Sequence, residues 1–224
     1  MPLLSEQDRQ TVTRHLSVIT HPVRILFFTQ TFGAPETVTI AKQVLSELAS
    51  LDERITLEEV NFILEKDRAA QYGITDVPGI VLLRGDEDTR IRFLGAPAGY
   101  EFMSLVEAVI LAGTDDSGLT AESKALIAAH VTGPTDILVF VTPTCPHCPR
   151  AVTLAHRMAI ENPHIRATCV EATEFMDLSR RYRVTGVPKT VINGAIEIMG
   201  AVPEDDFVRT ALGVPDTDTS SPPA

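Results

Sequence analysis

The apolar positions of the chain change period in a fixed order, and the order occurs twice. Residues 136–142 form a continuous apolar run rich in β-branched side chains, the pattern of a strand buried on both faces. From Pro146 to Ile160, the positions Val152, Ala155, Met158 and Ala159 recur at helical spacing and predict an amphipathic helix. Ile165–Val170 predicts a strand and Glu174–Tyr182 a short helix. Lys189–Ile192 and Ala195–Met199 flank Asn193-Gly194, the dipeptide that favours a two-residue hairpin turn. Pro203–Leu212 predicts a closing helix. Upstream, the same order reads as strand Val23–Thr29, helix Glu36–Leu51, strand Ile55–Val60, hairpin strands Ile80–Leu83 and Ile91–Leu94, and helix Tyr100–Leu111. One further helix precedes each series, near Ser5–Val18 and Thr120–Val131.

The residues repeat as well as the pattern. Ile55-to-Pro78 aligns without a gap on Ile165-to-Pro188 at an offset of 110, matching Val60 with Val170, Asp67 with Asp177, Tyr72 with Tyr182, and Val77-Pro78 with Val187-Pro188. A repeat of this length means two copies of one domain rather than a short-repeat solenoid. The expectation is an α/β protein of two tandem units, each a mixed sheet flanked by helices, over residues 1–112 and 113–212. The acidic, glycine-containing stretch 113–120 is the natural boundary. Residues 213–224 have little to bury and are expected to form a disordered tail.

Composition narrows the function. The 224 residues carry 30 acidic and 19 basic side chains, a formal charge of −11, the wrong sign for a surface that tracks phosphates. No nucleic acid is expected as a partner. The longest apolar runs are too short to cross a bilayer and the polar start has no leader pattern, so no membrane is expected either. Three cysteines are too few for a disulfide scaffold, which points to the cytoplasm.

Two of those cysteines carry the chemistry. Cys145-Pro146-His147-Cys148 follows the apolar strand directly and opens the long helix. A helix start offers unpaired N–H groups and a positive dipole end, both of which stabilise a thiolate. Cys145 is therefore the candidate low-pKa nucleophile and Cys148, one turn in, the resolving thiol. Pro146 suits the first helical turn, and His147, when protonated, favours the thiolate further. A CxxC is also half a zinc site, but no second CxxC or suitably spaced histidine pair accompanies it. Two other classes stay open: a polypeptide-binding module and a metal-binding CxxC protein.

The segment VFVTPTCPHCP, the stretch VPKTVING and the doubled unit resemble the thioredoxin superfamily. More closely, the chain resembles the two-unit protein disulfide oxidoreductases, or glutaredoxin-like proteins. It is also similar to the N-terminal, double-thioredoxin-fold domain of the flavoprotein component of alkyl hydroperoxide reductase, notably in RFLGAPAGYEFMSLVEAVI. The resemblance runs from about Pro22 to Leu212. It implies a thioredoxin fold in each half, dithiol–disulfide exchange at Cys145 and Cys148, and a cis Val187-Pro188 peptide facing the cysteines. It also implies protein disulfides as substrates, with a peroxiredoxin as a narrower alternative.

The chain departs from that pattern in three places. The first copy has no cysteine near Phe32-Gly33-Ala34-Pro35-Glu36, so it can hold only one CxxC site. Val139 stands where thioredoxins carry a buried acid, so proton transfer must come from elsewhere. By resemblance, Glu101 is a candidate acid/base reaching across from the first unit, with a surface glutamate at a helix start as the alternative. No glycine-rich dinucleotide motif is present, so no cofactor beyond the redox disulfide is expected. Electrons would then come from a separate NADPH-dependent reductase such as thioredoxin reductase. Cys169, alternating with Ala167 and Ile165, reads as a buried structural cysteine. Arg180, Arg181, Arg183 and Lys189 flank the Val-Pro loop and could steer an acidic partner or help hold a thiolate.

Overall fold

The computed structural model describes residues 3–30 and 32–215. The first half runs α1 (Glu6–Leu16), β1 (Val23–Thr29), α2 (Thr37–Ala49), β2 (Ile55–Asn61), α3 (Lys66–Tyr72), β3 (Gly79–Arg84), β4 (Glu87–Leu94) and α4 (Glu101–Ala112). The second repeats it as α5 (Ala121–His130), β5 (Thr135–Val141), α6 (Cys148–Glu161), β6 (Ile165–Glu171), α7 (Met176–Arg181), β7 (Lys189–Ile192), β8 (Ile196–Met199) and α8 (Glu204–Leu212). Within each half the central strand pairs parallel to one neighbour and antiparallel to the first hairpin strand. This is the mixed sheet expected of a thioredoxin unit.

The two sheets are one. β4 pairs parallel with β6, joining Ile91 to Ala167 and Leu94 to Val170, so that eight strands run in the order β2-β1-β3-β4-β6-β5-β7-β8. The sequence pattern predicts two sheets but not this seam, because nothing local marks two strands so distant along the chain as partners. β4 is also longer than Ile91–Leu94. Its polar start is obscured by Glu87, Asp88 and Arg90, and by a register shift opposite Val81–Leu83 with Arg90 at φ 65°.

The seam sorts the core into three parts. On one face of the sheet, a single apolar cluster runs from Phe27 and Leu45 in the first half, through Phe93 and Leu105, to Val139 and Met158 in the second. On the other face, α3 and α7 cover separate small cores, one around Phe28, Tyr72 and Val81, the other around Phe140, Val170 and Val191. Along the first face the register sets Phe93, Cys169, Val139 and Thr190 side by side on four adjacent strands.

Local signals hold where they are strongest. Ser5 and Thr120 cap α1 and α5 through their side chains, accepting from Asp8 N and Ser123 N. Asn193 and Gly194 both have positive φ, 50° and 70°, as a tight primed turn requires. Gly213, at φ 65°, ends α8; residues 216–224 of the expected tail lie outside the described residues.

Phe93 is buried at the seam and its ring meets His156 of α6 edge-on at 5.1 Å between centroids. Replacing it with alanine should cost about 3–5 kcal/mol of unfolding free energy, measured by urea denaturation. A loss below about 1 kcal/mol would mean the two halves do not depend on the seam.

Candidate active site

β5 ends at Val141 and the chain turns once before α6. The turn is held by Cys145 N donating to Thr142 O at 3.1 Å. Cys145 and Cys148 form a disulfide with their Cα atoms 5.5 Å apart. α6 begins at Cys148, not at Pro146, with His147 as its N-cap and Pro149 in its first turn. Pro149 sits in the first turn, where its missing N–H is unused, and the chain ahead of it, from Thr142 through His147, runs as a turn. Pro146 and His147 are exposed in the turn between the cysteines. Cys145 retains 9% exposure and Cys148 none. The outer sulfur is the one a partner can reach.

Val187-Pro188 is cis, as is its repeat partner Val77-Pro78. Pro188 is buried and Val187 half-buried against the apolar cluster that contains both cysteines. Lys189 follows and is also buried. Its ammonium donates to Tyr182 O at 2.7 Å and pairs with Glu197 at 2.9 Å, anchoring the loop to the end of α7 and to β8. The basic cluster read from the sequence does not converge. Lys189 is committed to these partners, Arg180 is exposed and paired with Asp177 at 2.9 Å, and Arg181 and Arg183 are exposed.

The first half forms the opposite wall. The turn before α4 is tied to the turn before Cys145: Tyr100 N donates to Pro143 O at 2.9 Å. Gly99, at φ 60°, lies so close to Pro143 O that any Cβ would collide with it. α4 and α6 pack side by side, with Met103 and Glu107 facing Pro149, Arg150 and Leu154 across a groove. Tyr100, Met103 and Met199 are exposed apolar side chains around this region, and Met199 reaches to within 3.9 Å of the position a Cβ on Gly186 would take, at the loop before Val187. Sequence reasoning misses them, because apolar residues at helix and strand spacing read as core.

Glu101 is buried, not a surface residue at a helix start. Its Oε2 accepts a hydrogen bond from the Cys169 thiol at 3.5 Å. Ser104 lies nearby but outside hydrogen-bond geometry, and Oε1 has no partner among the described residues. Burial lifts the Glu101 pKa to about 7; the nearby Ser104 and Cys169 side chains oppose this, and the Glu171 charge adds to it. Burial likewise pushes the Cys169 thiol well above its ordinary value, aided by Glu101 and Glu171. Val139, in the position of the missing acid, is buried in register with Cys169 on one side and Thr190 on the other.

In the first half, the chain before α2 leaves Phe32 91% exposed. The carboxyl of Glu174, from the second half, lies beside Thr37 in the first turn of α2 and accepts from Ala96 N at 2.7 Å. Among the described residues, no group of three or more His, Cys, Asp or Glu side chains could hold a metal ion, and no helix is long and apolar enough to cross a membrane.

Glu101 gives a signed pH dependence. Because its folded pKa of about 7 exceeds the ordinary value of 4.5, the folded state holds the extra proton between the two. Its contribution is intact below pH 4.5 and is lost as pH rises through 7. His156, buried and lowered to about 3, acts in the opposite sense, its contribution being lost as pH falls from 6.5 toward 3. Glu101→Gln should therefore gain stability over the parent progressively from pH 4.5 to 7, by up to about 1.4 kcal/mol per pH unit, and level off above. Urea denaturation from about pH 4 to 8 measures this; a difference that does not vary with pH would contradict it.

A thioredoxin-domain family model matches residues 135–213. The alkyl hydroperoxide reductase AhpF of Escherichia coli (strain K12) is 25% identical over 86% of this chain, which spans 34% of that protein's length. The chain thus covers about a third of this curated relative. The N-terminal domain of the alkyl hydroperoxide reductase AhpF from Enterococcus faecalis is 32% identical, with a TM-score of 0.86 over 93% of this chain and 99% of that one. A protein disulfide oxidoreductase from Aeropyrum pernix is 29% identical, with a TM-score of 0.83 over 92% of this chain and 91% of the other. Identity and fold together over almost the whole of both chains place this protein in the double-thioredoxin-fold family, alongside the N-terminal domain of alkyl hydroperoxide reductase AhpF.

Proposed function

We propose that the chain is a thiol–disulfide oxidoreductase acting on protein disulfides, with Cys145 as nucleophile and Cys148 as resolving thiol. The observation that carries this reading is the Cys145–Cys148 disulfide at the head of α6, with one sulfur at the surface and the other enclosed. In the dithiol form, the helix N-terminus favours the Cys145 thiolate, and His147 adds positive charge when protonated. The thiolate attacks one sulfur of a substrate disulfide and the other sulfur leaves as a thiolate. Cys148, deprotonated, then attacks Cys145, expelling the second substrate sulfur and closing the pair. Two electrons pass to the substrate.

Two neighbouring features serve the same chemistry. The backbone at Val187, anchored through Lys189, offers an edge against which an extended peptide can lie. Glu101 takes the proton of Cys148, the task Val139 cannot perform, and its pKa of about 7 suits that exchange near neutral pH. The first half supplies Glu101 and the Tyr100–Met103 rim, which gives it a role without a cysteine of its own. A separate NADPH-dependent reductase, such as thioredoxin reductase, would restore the dithiol in the cytoplasm.

A narrower reading makes a peroxiredoxin disulfide the favoured substrate, on the ground of the 32% identity to the AhpF domain. Cys145→Ser should abolish disulfide turnover, and Cys148→Ser should accumulate a mixed disulfide with substrate, resolved by non-reducing electrophoresis. Retained turnover in Cys145→Ser would overturn the assignment. A kcat/KM for a purified peroxiredoxin no higher than for a generic protein disulfide would remove the narrower reading alone.

A further inference from the structure

Cys169 has no part in the exchange described above, yet it sits beside the one side chain assigned to move protons. It lies on β6 in register with Val139 of β5 and Phe93 of β4. On that sheet face it shares one apolar cluster with Cys145 and Cys148. Its Sγ donates to Glu101 Oε2 at 3.5 Å, across the seam between the two halves. Glu101 is almost wholly enclosed, and its other oxygen, Oε1, is buried with no hydrogen-bond partner among the described residues. A carboxyl buried with one oxygen held and one idle is a costly arrangement for structure alone. It is a useful one for a group that must accept and return a proton.

We propose that Cys169 is a positioning residue for Glu101, its thiol holding the carboxyl by Oε2 so that Oε1 is the oxygen that exchanges a proton with the Cys148 thiol. The proposal rests on the oxidoreductase reading and deepens it. In the resolving step, the Cys148 proton passes to Glu101 Oε1 as the Cys148 thiolate attacks Cys145 Sγ. The Cys145–substrate S–S bond breaks and the Cys145–Cys148 bond forms. The substrate sulfur leaves with the electron pair and takes a proton from solvent. The Cys169 S–H stays in place, because burial and the Glu101 and Glu171 charges keep that thiol protonated.

The other ionisable groups of this region make their hydrogen bonds and contacts elsewhere, although the Glu171 charge is felt at Glu101. Glu171 on β6 accepts from Thr173 Oγ1 and Glu174 N, at 2.8 and 2.6 Å. Glu174 holds Ala96 N. His156 on α6 lies against Phe93, and burial keeps it neutral above about pH 3. Arg90 of β4 donates to Ala159 O, and Arg92 pairs with Asp88. Ser104 of α4 lies near the Glu101 carboxyl outside hydrogen-bond geometry, so among the described residues Cys169 is the side chain that hydrogen-bonds it.

The test is the pH dependence of the resolving step in single turnover, using a mixed disulfide between Cys145 and 2-nitro-5-thiobenzoate, whose release is read by absorbance. The parent, Glu101→Gln, Cys169→Ala and Cys169→Ser are compared, with circular dichroism confirming that each is folded. In the parent the rate should rise with pH through about 7. Glu101→Gln should lose that rise. Cys169→Ala, lacking the donor, should move it upward by about 0.5–1 pH unit. Cys169→Ser, which restores a donor, should return it toward the parent position. An unshifted profile in Cys169→Ala, with the rise lost in Glu101→Gln, would overturn the positioning role and leave Glu101 standing. A rise retained in Glu101→Gln would overturn the proton-carrying role of Glu101, and with it the role of Cys169. Absence of nitrothiobenzoate release in the parent would reject the oxidoreductase reading itself.

Discussion

The parallel pairing of β4 with β6 is the constraint on which the rest of the molecule depends. Each half alone is a small mixed sheet whose hairpin strand or second strand would be left at an edge, with its backbone groups unpaired. Joining them makes those edges the centre of an eight-stranded sheet. Several groups then cross between the halves. Arg90 reaches the end of α6 at Ala159 O, Glu174 takes Ala96 N, and Tyr100 N donates to Pro143 O. The last of these sets the start of α4 against the turn that carries Cys145. The seam therefore decides which residues from the cysteine-free half stand beside the disulfide.

The same seam concentrates charge and polarity in an apolar place. Glu101 and Glu171 are buried beside the Cys169 thiol, Glu174 is half-buried, and both ring nitrogens of His156 lack partners among the described residues. Desolvation works against the charged form of each of Glu101, Glu174 and His156, raising the carboxyls and lowering the imidazole. Such groups weaken a core. A carboxyl raised toward neutral pH is at the same time a candidate proton carrier. Arg92, also buried, differs in kind. It is held bidentately by Asp88 and donates to Tyr72 O, so it fastens the end of α3 to the sheet.

The elements are legible in the sequence because their signals are local. β1 and β7 fall on the expected residues, and the Asn193-Gly194 turn has the positive φ values its composition demands. The CxxC at a strand-to-helix junction and the repeated Val-Pro, cis in both copies, mark the candidate site. What cannot be read is set by pairings distant in sequence. Nothing near Ile91 or Ala167 announces that they are neighbours, so the fused sheet is invisible at that level. The burial of Glu101 depends on that sheet, and so does its meeting with Cys169, which alternation alone marks only as a buried thiol. The start of α6 lies two residues beyond the expected one, the chain through Pro146 and His147 running as a turn ahead of the helix.

The central claim is that Cys145 and Cys148 are a reversible two-electron couple that donates electrons to protein disulfides. The most direct measurement is its equilibrium reduction potential, titrated against dithiothreitol or glutathione with acid trapping, in a Cys169→Ser background that leaves only the two thiols to count. A donor of electrons to protein disulfides should titrate as one couple near the thioredoxin value of about −270 mV. A potential near the roughly −120 mV of strong oxidants, or no reversible couple, would contradict that claim of an electron donor.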